Sequence, residues 1–308
     1  MEKTNRKWPT IIVVLSVLLL VGFLFSGFIS LFFGSEIEPS GNVALIPIQG
    51  VITAAESESL LGESVASSNS ITSYIEKADK NPNIKAIILE INSGGGSPVA
   101  SEEIVNAIKK TNKTTVALIR EMGASGAYWV ASASDHIVAS RASIVGSVGV
   151  IASYLQFSGL LEHYNVTYER LVAGKYKDIG SPYKELSVVE RSLLQEQLDL
   201  LHDYFLDDVV QSRHLTEDQK AEIGTANIFM GIQAKALGLI DEFGGKDEVL
   251  SYVKGIIGEE PVLAEYKERK SWLSMLGRVM NEKSFFVGRG IGSTLLDPKQ
   301  SNNINILT

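Results

Sequence analysis

The sequence predicts an α/β domain built on a mainly parallel sheet and preceded by one membrane-spanning helix. Two observations carry this. From Val43 to Val172, short apolar runs of strand length alternate with stretches whose apolar residues recur at helical spacing, the pattern of a sheet with helices packed on its faces. Ahead of them, Thr10 to Phe33 is 24 residues without a charge. As a helix it would be about 36 Å long, enough to cross a hydrocarbon layer of about 30 Å.

Taken in order, residues 1–9 form a short terminus with Lys3, Arg6 and Lys7, and 10–33 the transmembrane anchor. Basic residues before the span, with Glu36 and Glu38 after it and no Lys or Arg until Lys77, place the N-terminus in the cytoplasm and the rest on the far side of the membrane. A cleavable signal peptide is the rival reading, but its apolar stretch is usually only about 7–15 residues. Residues 34–42, with Pro39 and Gly41, read as a linker. Val43–Ile48 is predicted as a strand, with Pro47 marking an edge or strand end. Ile71, Tyr74, Ile75 and Ala78 share one helix face, and Ile84–Ile91 is a buried strand. Ser97-Pro98 supplies an N-cap and first-turn proline for a helix to about Lys110. Thr114–Ile119 is a strand, Ser125 to about Ser134 a helix, and Val166–Val172 a strand. Ser187–Ser212, Ala234–Leu237 and Lys246–Ile257 are helical, which gives a folded domain over 43–265. From 266 to 308 the chain turns basic and then polar: between Lys267 and Arg289 six basic residues face two acidic ones. Trp272, Phe285 and Phe286 among them suit contact with anionic lipid; the segment could equally be a solvated extension, or a self-substrate seated in a neighbouring subunit's cleft.

Composition narrows the function. The content of 45% hydrophobic and 21% charged residues is that of a globular domain. A net charge of −8, with no basic and aromatic patch in the centre, speaks against nucleic acid. There is no cysteine, and the four histidines form no metal-ligand pair, so neither a metal nor another cofactor is expected.

Chemistry concentrates in three places. Gly94-Gly95-Gly96 follows a buried strand, where glycine permits positive φ and lets backbone N–H groups approach an oxyanion; a plain strand-to-helix turn has the same composition. Ser125 lies among Gly123, Ala124, Gly126 and Ala127, which leave room for a carbonyl to reach its hydroxyl; a simple N-cap serine would look alike. A serine nucleophile needs a base. His136 falls at the far end of the helix that Ser125 opens, and His163 in an amphipathic stretch, so neither is well placed. Lys177 can serve only as a neutral amine, and an ordinary lysine is neutral in about one molecule in a thousand near pH 7.5. The adjacent Asp178 would oppose neutrality if it faced the amine.

The ordered set Ile91-Asn92-Ser93-Gly94-Gly95-Gly96-Ser97, Gly123-Ala124-Ser125-Gly126-Ala127-Tyr128, Gly146-Ser147-Val148-Gly149-Val150, Lys177-Asp178-Ile179-Gly180-Ser181-Pro182 and Gly238-Leu239-Ile240-Asp241 resembles the signal peptide peptidase A (SppA) family, short single-domain form, over about residues 41–265. The resemblance implies a ClpP/crotonase-like stack of ββα units and a Ser/Lys dyad. Ser125 would attack, Lys177 act as base, Ser147 orient the lysine, Gly96 and Gly126 donate to the oxyanion, and Gly95 lie against substrate. It also implies a homo-oligomeric ring, an octamer, in which serine and lysine meet across adjacent subunits. Two positions depart from the family: Gly94 stands where proline is usual, and Ala127 where a second glycine is common. The function expected is a membrane-anchored endopeptidase for remnant signal peptides or other apolar peptides. The alternatives are a protease acting on a stomatin-like membrane partner, a catalytically silent scaffold, and a crotonase-like acyl-CoA enzyme.

Overall fold

The computed structural model describes residues 8–33, 40–54 and 65–267. The chain divides after Ser40 into two compact units. The first contains one helix, α1 (Trp8–Phe33), of 26 residues with no charge. Within it Ile11–Phe28 has a mean hydropathy of 2.8 and is not buried, so the helix is long and apolar enough to cross a membrane.

The second unit runs β1 (Val43–Gln49), β2 (Val51–Thr53), β3 (Val65–Ser67), α2 (Ser68–Lys80), β4 (Ala86–Ser93), α3 (Pro98–Lys110), β5 (Thr114–Ala124), α4 (Gly126–Ser132), β6 (His136–Ala139), β7 (Ile144–Gly146), α5 (Ser158–His163), α6 (Val188–Arg213), α7 (Glu217–Ile223), β8 (Ile228–Met230), α8 (Gly231–Ala236), β9 (Glu242–Phe243), α9 (Lys246–Ile257) and β10 (Leu263–Glu265). The main sheet has the order β10-β1-β4-β5-β6-β9, all parallel. Past the end of β6, β7 pairs with the last residues of β5 and carries β8, which is antiparallel to it. β2 and β3 form a small parallel pair.

Alternation along the central strands divides the core into two layers. Ala44, Ile46, Ile48, Ile87, Leu89, Ile91, Ala117 and Ile119 face one side, where Ile71 and Ile75 of α2, Ile104 and Ile108 of α3, and Trp129 of α4 cover them. Val43, Leu45, Ala86, Ile88, Val116 and Leu118 face the other, under Val249 and Val253 of α9. Both faces being covered explains why β4 and β5 read as nearly continuous apolar runs.

Most predicted elements appear. α3 begins at Pro98 with Ser97 as N-cap, and α6 begins after Ser187, whose side chain closes a capping box with Glu190. Pro47 is accommodated because β10 flanks β1 only over Val43–Leu45, so among the described residues no strand pairs with β1 where the missing N–H would have pointed. Two expectations are corrected. Val166–Val172 is not a strand; it is exposed, and no strand among the described residues pairs with it. The helix after Ser125 ends at Ser132, so His136 opens strand β6 instead of closing that helix, and its ring stacks on Tyr252 at 3.8 Å. Most of the linker, residues 34–39, and the basic and polar extension from residue 268 onward lie outside the described residues.

Candidate active site

The C-terminal ends of β4, β5 and β7 come together at one edge of the sheet, where open α/β sheets place ligands. β5 ends at Ala124 and its next residue, Ser125, has φ 54° and ψ −130°, a conformation that strains a non-glycine residue by about 1–3 kcal/mol. The surroundings impose it. Ser125 N–H donates to Gly146 O at 2.8 Å, while Ser125 O accepts from Tyr128 N at 2.9 Å and Trp129 N at 3.0 Å. The hydroxyl makes no capping bond, so the plain N-cap role is excluded.

The glycine loop folds directly over this serine. Gly95 has φ +97°, and a Cβ there would lie 2.8 Å from Gly126 N and 2.9 Å from Ser125 Cβ. Gly96 is pressed against β2: Ile52 N–H donates to Gly95 O at 3.0 Å, Ser97 N–H donates to Ile52 O at 2.8 Å, and a Cβ at Gly96 would sit 2.1 Å from Ile52 O. A Cβ on Gly126 would lie 3.5 Å from Gly96 N, so the two N–H groups are neighbours. Among the described residues neither has a protein acceptor. Two unclaimed donors beside a strained serine are the parts of an oxyanion-binding pocket.

Sequence reasoning missed the residues that hold this loop. The Ser93 hydroxyl donates to Gly50 O at 2.6 Å and accepts from Gly95 N–H at 3.0 Å. Ser101 packs under Gly126, where a Cβ would come within 2.3 Å of its Oγ. Tyr128 OH donates to Leu239 O at 2.9 Å, and Arg213 binds Gly238 O and Asp241, so the Gly238–Asp241 motif anchors the helix that follows Ser125. Burial raises the Tyr128 phenol well above its ordinary range, which keeps it a donor. Gly95→Ala is expected to lower kcat by about 100-fold, because its methyl group would displace the donors by roughly an ångström. Gly94→Ala should be nearly silent, since that Cβ would meet only Met122 Sδ at 3.4 Å. Steady-state kinetics of the two variants checks the contrast.

The structure brings Ser125, Gly95, Gly96, Gly126 and Ser147 together. Ser147 follows Gly146, the residue that accepts from Ser125 N–H; it has φ 55°, and its own N–H donates to Asn227 O at 2.8 Å. Beyond it His202 Nε2 lies 3.2 Å from Val148 O. Lys177 makes no hydrogen bond to any of them among the described residues. It is exposed, its backbone N–H donates to Gly174 O at 3.2 Å, and its side chain makes no hydrogen bond or ion pair among the described residues.

The turn that carries Lys177 is tied to α6 by charge. Arg170 donates twice to Asp178, one bond being 2.7 Å, and Lys184 Nζ lies 3.4 Å from the same carboxylate. Lys184 also donates to Glu190 Oε1 at 2.5 Å, and Glu190 Oε2 accepts from Ser187 N–H at 3.0 Å and its hydroxyl at 2.9 Å. Lys184 and the Ser187 donors draw the buried Glu190 carboxyl down from its ordinary 4.5 to about 2. A depressed folded-state value stabilises the fold above the unfolded value and ceases to do so as pH falls through the folded one. The protection factors of the amides around Ser187–Arg191, taken against intrinsic exchange at each pH, should therefore fall between pH 4.5 and about 2 and stay constant from pH 6 to 8. Protection that persists until the whole domain unfolds would contradict this.

Comparison with known proteins bears on this geometry. The family model described as "Peptidase family S49" matches residues 107–255. A Methanocaldococcus jannaschii chain named as a protease is 30% identical over 233 residues, 74% of each chain. A chain of Enterococcus faecium named for signal peptide peptidase SppA is 29% identical, over 69% of this chain and 62% of that one. Protease 4 of Haemophilus influenzae is 26% identical, over 75% of this chain and 37% of its own length. Among solved structures, a mutant of a membrane-bound stomatin-specific protease is 16% identical with a TM-score of 0.45, covering 74% of this chain and 94% of that one. A parallel sheet that ends in a strained serine, in a sequence so related, belongs to peptidase family S49, the SppA-type serine proteases.

Proposed function

We propose that the chain is a membrane-anchored serine endopeptidase in which Ser125 is the nucleophile and Lys177 the general base. The observation that supports it most is the strained Ser125, its hydroxyl free of any capping bond, beside the unclaimed N–H groups of Gly96 and Gly126. The neutral Lys177 amine takes the Ser125 hydroxyl proton as Oγ attacks the scissile carbonyl carbon. Gly96 and Gly126 N–H receive the oxyanion, and Gly95 leaves room for the peptide backbone. The protonated amine then gives its proton to the departing peptide nitrogen. A water molecule, deprotonated in the same way, releases the acyl chain and restores Ser125. Ser147, next to Gly146, orients the lysine.

Because Lys177 makes no hydrogen bond to Ser125 within its own chain, the reading places the lysine of one copy at the serine of its neighbour, in a homo-oligomeric ring of the octameric kind. The segment that carries Lys177 supports this. Ile151 is 86% exposed, Leu155 74% and Leu171 fully exposed, an apolar surface that the described residues leave uncovered. α1 would hold the ring at the membrane with the N-terminus in the cytoplasm and the catalytic domain outside. There it would meet remnant signal peptides, signal peptides being the substrate in the Enterococcus relative's name, and other apolar peptides. The test is the full chain reconstituted in vesicles with an apolar synthetic peptide and a charged one of equal length, with products identified by mass spectrometry. Cleavage of the apolar peptide alone is expected. If neither peptide is cut, the proposal fails.

A further inference from the structure

Asp178 follows the proposed base directly and would otherwise be its natural counter-ion. In the structure its charge is committed elsewhere, to the Arg170 guanidinium and to Lys184, which hands on to Glu190. The four groups form a row of alternating charge from the Lys177 turn into the first turn of α6. Beyond Arg170 the row is well covered: the side chains of Asp178, Lys184 and Glu190 are 15%, 22% and 8% exposed, against 38% for Arg170. Among the described residues Tyr168 lies beside Arg170 and against the Tyr183 ring, 5.4 Å away, and in the Lys177 turn Lys175 lies over the Tyr176 ring at 5.0 Å.

We propose that Arg170 and Lys184 are positioning residues that keep the Asp178 carboxylate away from the Lys177 amine, so that the amine lacks a counter-ion and can release its proton. The inference rests on the reading of Lys177 as base and extends it, since the row of charges would set the pH at which that base is available. An opposite charge near an amine favours its protonated form and a like charge disfavours it. Arg170→Gln removes a cation and frees a carboxylate, and both changes hold the proton on Lys177. Asp178→Asn leaves Arg170 without its carboxylate, while Lys184 keeps Glu190, and the unneutralised cation drives the proton off. In the double variant the two changes oppose each other.

The experiment takes the full chain in detergent and measures the pH profile of kcat/KM. Independently of activity, it measures the pH dependence of Lys177 acetylation by acetic anhydride, read by mass spectrometry. Arg170→Gln should move the ascending limb and the labelling midpoint up by about one pH unit, and Asp178→Asn should move both down. The double variant should return to within about 0.3 unit of the parent. A merely structural role would lower activity in all three variants, most in the double, with no opposed displacement. Midpoints that stay put, or move the same way in both single variants, overturn the proposal. Should Arg170→Gln fail to fold, Lys184→Gln must move the midpoint up in its place. Lys177→Ala separates the two readings: parental hydrolysis in that variant would end the role of the base, while the labelling displacements would still report on the charges.

Discussion

Replacing Ser125 with alanine should abolish peptide hydrolysis, by about 10⁴-fold or more in kcat/KM, and leave the fold as it is. The two halves of that expectation have separate causes. Activity is lost because the hydroxyls nearest the Gly96 and Gly126 donors are already engaged in holding the loop, Ser101 donating to Ser97 O at 3.0 Å and Ser93 to Gly50 O at 2.6 Å. Stability is kept because the Ser125 hydroxyl makes no capping bond, so its removal leaves no structural partner unsatisfied and should cost less than about 0.5 kcal/mol. Ser125→Gly sharpens the point. It should be equally inactive yet more stable, by about 1 kcal/mol, because glycine adopts φ 54° without the penalty that a Cβ brings. A site that becomes more stable on losing its function is one where strain is kept for chemistry. Thermal unfolding and a fluorogenic peptide assay on the same preparations decide it. Parental turnover by either variant would remove Ser125 from the mechanism.

What the sequence shows and hides about this site follows from the range of the interactions. β4 and β5 are legible because both their faces are covered, and α3 because Ser97-Pro98 marks its start by local geometry alone. Ser125 and the glycines are legible because a backbone that must approach another backbone excludes side chains, and that exclusion is written in residue type. The supports are not legible. Ser93 holds Gly50, 43 residues away, and Tyr128 reaches Leu239, 111 residues away; neither pairing leaves any periodicity. The strands β7, β8 and β9 have three, three and two residues, too few for a repeat to show. Val166–Val172 misled for the opposite reason. Its apolar content implies burial, and a strand is the usual way to obtain it. Among the described residues nothing covers the segment, so the hydrophobic signal and the local structure part company. Asp178 was ambiguous in the sequence because its partner Arg170 lies eight residues back in an irregular stretch, where no spacing rule applies.

That uncovered segment leads to the second large effect. Lys177→Ala alone should lower kcat/KM by about 10³-fold, within the range for loss of a general base. The informative measurement is what happens when two dead proteins are mixed. If each site takes its serine from one copy and its lysine from the next, then co-assembly of Ser125→Ala with Lys177→Ala restores a complete site. This happens wherever a chain with an intact serine is followed by one with an intact lysine. Random assembly of equal amounts gives that order at one interface in four, so about a quarter of parental activity should return, through a head-to-tail contact that closes into a ring. The exposed Ile151, Leu155 and Leu171 supply the apolar surface for such a contact. Charging it, as in Leu171→Glu, should therefore abolish both the recovery and the assembly while the separated chain stays folded. A pair that serves its own chain behaves differently: mixing recovers nothing, however the copies associate. Recovery near a quarter, at a protein concentration where Leu171→Glu shows none, would place the lysine at its neighbour's serine; no recovery from mixtures that demonstrably co-assemble would return it to its own.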